Sequence, residues 1–334
     1  VRRWSSDTTT TLRVFGAPDL LTDRNDGDHR VVYGVDFHRV TLRLEKAGKG
    51  RALSVETFGG WDRSQVRGGD VTVRDASTGL RVDALQQLVK GVALRGGASA
   101  KVDQYRLDLT QLDDPNARDE YRKLYPARSV GVVGGYAALE LLLTPQFVMR
   151  PGVRVDVYRS PGVSAVGVDP RLTAEYRVTP RLTLFSSFGV AHQPPSSAVP
   201  TPGLDPALGG GLQTGVQQSY GFRIKLPEQL SLEVTAFQAA LFNLSDDIGQ
   251  ARARDTDPEL LESQRGMGQA RGIELFLRRS LTRKLGGFLS YTLASSQRFV
   301  GRSDAPSAYD RRHVLGAALG YDWGGGFRSG GRGS

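Results

Sequence analysis

Residues Arg171 to Val190 read RLTAEYRVTPRLTLFSSFGV. Successive side chains of an extended strand point to opposite sides, so Leu172, Ala174, Tyr176 and Val178 share one face while Arg171, Thr173, Glu175 and Arg177 share the other. Thr179, Pro180 and Arg181 then break the run, because proline has no amide to donate and a fixed φ that suits a tight turn, not a central strand. Beyond the turn Leu182, Leu184, Phe188 and Val190 fall on one side, opposed by Thr183, Phe185 and Ser187. The stretch predicts a β-hairpin with one oily and one wet face.

The same pattern recurs on either side. Tyr220, Phe222, Ile224 and Leu226 alternate with Gly221, Arg223 and Lys225, turn at Pro227 to Gln229, and return through Leu230, Leu232, Val234 and Ala236 against Ser231, Glu233 and Thr235. Ile273, Leu275 and Leu277 oppose Glu274, Phe276 and Arg278, turn near Thr282 to Lys284, and rise through Leu285, Leu289, Tyr291 and Leu293. Leu315, Ala317, Leu319 and Tyr321 mark a last clear strand, and fainter ones lie at Val40, Leu42 and Leu44, at Leu53 and Val55, at Val92 and Leu94, and at Val153, Val155 and Val157. The count is about 14 strands. Connections alternate in length: the turns at Pro180, Pro227 and Thr282 are short, whereas Gln193 to Thr214, Ser245 to Gln269 and Ser295 to Asp310 are long and rich in Gly, Pro, Asp, Arg and Ser.

These features predict an all-β chain, a partial antiparallel transmembrane β-barrel with short periplasmic turns and long extracellular loops. Composition agrees. The apolar fraction is 39% and the mean hydropathy −0.32, too polar for membrane helices, and the longest apolar stretch, Gly131 to Leu143, carries Glu140 and is shorter than the roughly 20 residues a spanning helix needs. A barrel needs apolar residues only at alternate positions. Strands in hydrocarbon must pair on both edges, and no closing strand is readable after Arg332, so further strands are expected. The chain starts at Val1 with no basic segment leading into an apolar one, which reads as truncation or processing.

Cysteine is absent, which excludes disulfides, thiolate metal sites and cysteine nucleophiles. The net charge of +9 could suit nucleic acid, acidic lipid or anionic ligands, but no dense basic run with interleaved aromatics occurs, so no nucleic-acid partner is expected. Asp23, Asn25, Asp26 and Asp28 imitate a calcium loop, yet its glycine and glutamate positions hold Asp28 and Gly34. His29, His38, His192 and His313 are scattered, with His313 at a strand end near the extracellular interface. No metal, cofactor or catalytic residue is expected and no nucleophile elbow or phosphate loop is present, so the chain reads as a non-enzyme.

On the polar face, Arg171, Glu175, Arg177, Arg223, Lys225, Glu233, Glu274 and Arg278 are expected to line the lumen, pairing with one another or with a plug. Tyr176, Tyr220, Phe222, Tyr291, Tyr321 and Trp323 are expected to form aromatic girdles, rings in lipid and polar tips among headgroups.

Several stretches resemble the barrel of TonB-dependent outer-membrane receptors: PRLTAEYRVTPRLTLFSSFGVAHQPP from Pro170 to Pro195, ARGIELFLRRSLTRKLGGFLSYTLASSQR from Ala270 to Arg298, YDRRHVLGAALGYDW from Tyr309 to Trp323 and, more weakly, PGVRVDVY from Pro151 to Tyr158. The resemblance implies that residues 1–334 are a fragment of a receptor barrel of about 22 strands in the bacterial outer membrane, without its plug domain and C-terminal strands. It implies TonB-energised uptake of a scarce nutrient such as a ferric siderophore or cobalamin, with outer-membrane lipid and lipopolysaccharide, the receptor's own plug, TonB and a small-molecule ligand as partners. The alternatives are a passive porin or other non-TonB barrel, and a soluble β-rich binding module.

Overall fold

The structure is a computed structural model that describes residues 1–25, 28–66, 71–110, 112–124, 127–195, 208–244, 266–280, 284–300, 303–307 and 310–333. Two compact units make up the chain: Val1–Ala138 with Val153–Val168 and Gln193–Leu212, and Leu139–Gly152 with Asp169–His192 and Gln213–Ser334.

The first unit contains an antiparallel meander: β1 (Arg2–Arg3), β2 (Thr8–Asn25), β3 (Asp28–Gly48), β4 (Arg51–Val66), β5 (Val71–Val89) and β6 (Val92–Asp108), each paired with the next. Its turns at one end are tight and stack on one another, with Ala47 N–H donating to Asp7 O (2.8 Å) and Gln87 N–H to Gly50 O (2.6 Å). Gly50 and Gly91 hold φ values of 67° and 82°, which a side chain rarely tolerates, and so permit these two-residue reversals. Helix α1 (Pro115–Leu124) lies in the connection after β6. Asp114 caps it, its carboxylate accepting from Asn116 N–H at 2.9 Å, and Pro115 supplies a preset φ at the first turn.

Four strands, β7 (Arg128–Thr144), β8 (Phe147–Ser160), β9 (Val163–Arg177) and β10 (Leu182–Gln193), have residues in both units. Two of their turns share one chemistry. Thr144 Oγ1 accepts from the amides of Gln146 (3.2 Å) and Phe147 (3.0 Å), and Thr179 Oγ1 from those of Arg181 (3.2 Å) and Leu182 (3.0 Å), so each Thr-Pro pair closes its own loop. The Arg171–Val190 hairpin is present as β9 and β10, in register from Arg177↔Thr183 to Arg171↔Gly189.

The second unit continues with β11 (Gln213–Lys225), β12 (Leu230–Leu244), β13 (Gly266–Arg279), β14 (Leu285–Val300), β15 (Ser303–Pro306), β16 (His313–Gly324) and β17 (Phe327–Gly333), again antiparallel. The predicted turn at Pro227 to Gln229 is a tight reversal in which Glu228 and Gln229 take left-handed φ values of 54° and 61° and the Leu230 N–H donates to the Pro227 carbonyl. Thr282 and Arg283 lie outside the described residues, as do the side chains of Asp23, Asn25, Asp26, Asp28 and His29.

Two expectations change. Seventeen strands are present among the described residues, where about 14 were read, and much of Ser295 to Asp310 is sheet: β14 runs on to Val300, and Ser303–Pro306 pairs back onto it. The length alternation also has exceptions, since Pro161 and Gly162 make a two-residue turn, and β2 and β3 pair as far as Asn25↔Asp28.

Candidate functional site

Among the described residues only five hydrophobic side chains are buried, Val71, Val73, Leu112, Leu208 and Leu244, whereas Leu, Val, Phe, Tyr and Trp side chains stand exposed along most strands. Among these residues no packed core collects the apolar face, so the chemistry lies in how the two faces of the strands differ.

In the first unit the register stacks apolar residues in rows across four strands. Leu44, Val55, Val82 and Ala98 face one another, then Leu42, Thr57, Leu80 and Ala100, then Val40, Gly59, Thr78 and Val102. Above them His38 and Trp61 stack with ring centroids 5.0 Å apart. On β3 this face is bounded by Lys46 and Asp36; ten residues at about 3.4 Å each, tilted by about 40°, span about 26 Å, the height of an outer-membrane hydrocarbon band.

The opposite parity carries charge. Arg39 grips Asp62 with both guanidinium nitrogens, Nη2 to Oδ2 at 2.6 Å. Arg43 meets Glu45 (2.9 Å), Arg81 meets Asp83 (3.3 Å), and Lys101 meets Asp103 (2.9 Å). Arg154 forks onto buried Asp156 with two 2.6 Å bonds and reaches Ser99 at 3.0 Å. Gly134 sits against that carboxylate, where a Cβ would collide with it. Tyr136 donates to Asp83 at 2.7 Å. Such pairs satisfy groups that lipid could not.

In the second unit the predicted polar face is partly assembled into pairs. Arg223 binds Glu233 at 2.7 Å and lies 5.8 Å from the Phe185 ring. Glu175 is joined by Arg150 (3.1 Å), which also holds Glu140 (3.0 Å). Arg150 and Glu140 were missed in the sequence because their partnership depends on three strands in register. Glu274 stands opposite Thr235 and Thr292, Arg278 opposite Ser231 and Phe288, Lys225 opposite Ser231, Arg177 opposite Thr183 and Arg171 opposite Gly189. Asp169 and His192 Nδ1 approach to 2.6 Å.

The six predicted girdle residues separate by height. Tyr176 packs edge-on against Phe147 (6.2 Å) and Tyr321 against Trp323 (4.6 Å), all near short turns. Tyr220, opposite Ala236, Phe222, opposite Val234, and Tyr291, opposite Leu275, lie further along their strands. The Tyr291 hydroxyl meets Nδ1 of His313, the first residue of β16, at 2.8 Å. Trp4, whose indole donates to Thr10 Oγ1 at 2.8 Å beneath the Arg2 guanidinium, and Trp61 join this set. Trp61 alternates with Leu53 and Val55 in sequence and was readable there.

An antiparallel strand array with an unburied apolar face and a paired-charge face defines an outer-membrane β-barrel protein. The family described as "TonB dependent receptor-like, beta-barrel" matches residues 2–334, and the chain belongs to it. Its fold is thus a partial transmembrane β-barrel of the outer membrane. Solved structures agree in fold: the Pseudomonas aeruginosa FpvA bound to a heterologous ferric pyoverdine (TM-score 0.71, 14% identity, 99% of this chain and 53% of that one), the FrpB iron transporter from Neisseria meningitidis (0.67, 13%, 96% and 55%) and the alcaligin outer-membrane receptor FauA from Bordetella pertussis (0.63, 13%, 99% and 57%). The chain spans about half the length of each. No curated protein sequence matches it.

Proposed function

We propose that residues 1–334 are part of the barrel of a TonB-dependent receptor that takes up a scarce nutrient of the ferric siderophore or cobalamin type. The observation that carries this reading is the family match over residues 2–334, joined to strands whose charged face is partly paired internally. In this reading Arg171, Glu175, Arg177, Arg223, Lys225, Glu233, Glu274 and Arg278 line the lumen. Those opposite small hydroxyl residues, Glu274 and Lys225 among them, are positioned to meet a plug domain or a passing ligand. Tyr176, Tyr321 and Trp323 anchor the short-turn edge of the membrane, with Tyr220, Phe222 and Tyr291 deeper in it. FpvA and FauA are named with pyoverdine and alcaligin, and a further structural relative is a copper transporter, so a metal-chelate cargo is the class to test first.

The test is uptake of radiolabelled ferric siderophores and cobalamin by cells carrying or lacking the full-length gene, in backgrounds with and without TonB. Uptake that needs both the gene and TonB is expected. Gene-dependent entry that persists without TonB would identify a passive pore instead, and release of the protein from membranes by salt alone would identify a soluble module.

A further inference from the structure

On the outward face of the first unit, one step beyond the His38–Trp61 stack, the register sets Asp36 opposite Arg63, Arg63 opposite Arg74, and Arg74 opposite Arg106. Like charges directly opposed on neighbouring strands destabilise a sheet. Two aspartates offset part of this: Arg63 bonds Asp36 at 2.7 Å and Arg74 bonds Asp108 at 2.8 Å. Both guanidinium groups remain open to solvent, at 50% and 64% side-chain exposure. Arg106 is exposed beside them. Helix α1 contributes Arg118 and Arg122, which with Arg74, Arg106 and Asp108 line a groove of about 590 Å³. Arg118 spends its Nε on the Leu112 carbonyl and Arg122 pairs with exposed Asp119 at 3.1 Å. Five arginines thus meet three carboxylates at one edge.

We propose that this groove, together with Arg63 beside it opposite Arg74, binds the phosphates of a lipid headgroup in the outer leaflet. The proposal rests on reading the strands as membrane-spanning. Three features select a lipid over a dissolved anion. The row sits at the upper border of the apolar face, with Leu80 and Val102 exposed below it on β5 and β6 to receive acyl chains. The aromatic stack lies between, where amphipathic rings mark the headgroup boundary. Arg63, next to the groove, and Arg106, in its lining, flank Arg74 and are two strand spacings apart, about 10 Å, so two phosphates of one headgroup can be held at once by forked guanidinium groups.

The full-length receptor, reconstituted into phosphatidylcholine vesicles containing a small fraction of diphosphorylated lipid A, re-extracted in mild detergent and weighed by native mass spectrometry, tests this. The wild type should retain lipid A, and the Arg63→Gln/Arg74→Gln/Arg106→Gln variant should retain about tenfold less. The Lys46→Gln/Arg51→Gln variant, altered at the opposite end of the same strands, should match the wild type. Equal retention by the triple variant overturns the proposal, as does displacement of lipid A from the wild type by millimolar inorganic phosphate. Heat-modifiable gel mobility confirms that each variant is folded. Failure of the membrane reading itself would show separately, as protein recovered without detergent.

Discussion

Gly272 shows how closely single residues are specified. A Cβ there would lie 2.5 Å from the Leu293 carbonyl oxygen and 2.8 Å from the Phe237 ring, which sits across from it on β12. The ring could move but the carbonyl belongs to the β13–β14 ladder, so Gly272→Val should cost about 1–3 kcal/mol, read as a lower denaturant midpoint in detergent, and adding Phe237→Leu should not restore it. At the β1–β2 turn, hydrogen bonds from Ser5 and Thr8 hold the Asp7 carboxyl below the usual carboxylate value of 3.8. Those bonds favour the charged form, so the turn keeps their contribution above pH 3.8 and loses it as the pH falls through the lowered folded value. Ser5→Ala should move the Asp7 titration upward toward 3.8 when followed by NMR; an unmoved titration would show that Thr8 and the backbone suffice.

At the scale of elements, face assignment is the quantity to test. Val234, Leu275, Tyr291 and Leu315 form one cross-strand row, and Thr235, Glu274, Thr292 and Val314 the adjacent row of opposite parity. Leu275→Arg should cost about 2–4 kcal/mol in lipid, whereas Thr292→Arg should change stability little, because only the first places a guanidinium in hydrocarbon. Equal penalties in folding titrations would sink the assignment. The same physics explains what the sequence disclosed. Alternation is imposed only where one face meets lipid, so the Arg171–Val190 hairpin was legible, while Asp62, Arg63, Ser64 and Gln65 at the far end of β4, and Ser295 to Gln297 in β14, pair as strand with no periodic signature. Helix α1 had a readable Asp-Pro start, which a search for period two passes over. Arg150 with Glu140 and Glu175 was not readable, since ion pairs across strands follow a register that turn geometry sets.

At the scale of the molecule, the scarcity of buried apolar side chains among the described residues decides which solvent each face requires. A water-soluble chain of 334 residues would collect its leucines and valines into a core, because that burial is the main force offsetting chain entropy; here Leu42, Leu44, Leu275, Leu315 and Leu319 all remain exposed. The absence of cysteine from these residues makes the consequence directly measurable, since any thiol introduced into them is unique within them. Cysteines placed at Leu42, Leu275 or Leu315 should resist a charged maleimide in intact membranes, and fluorophores attached there in detergent should be quenched by brominated lipid after reconstitution. A cysteine at Asp36 should react from outside whole cells, and one at Arg51, at the short-turn end of the same sheet, only after the outer membrane is permeabilised. Reaction at Leu42 and Leu315 as fast as at Asp36 would mean that the apolar face meets water, and the orientation of every strand argued from it would have to be abandoned.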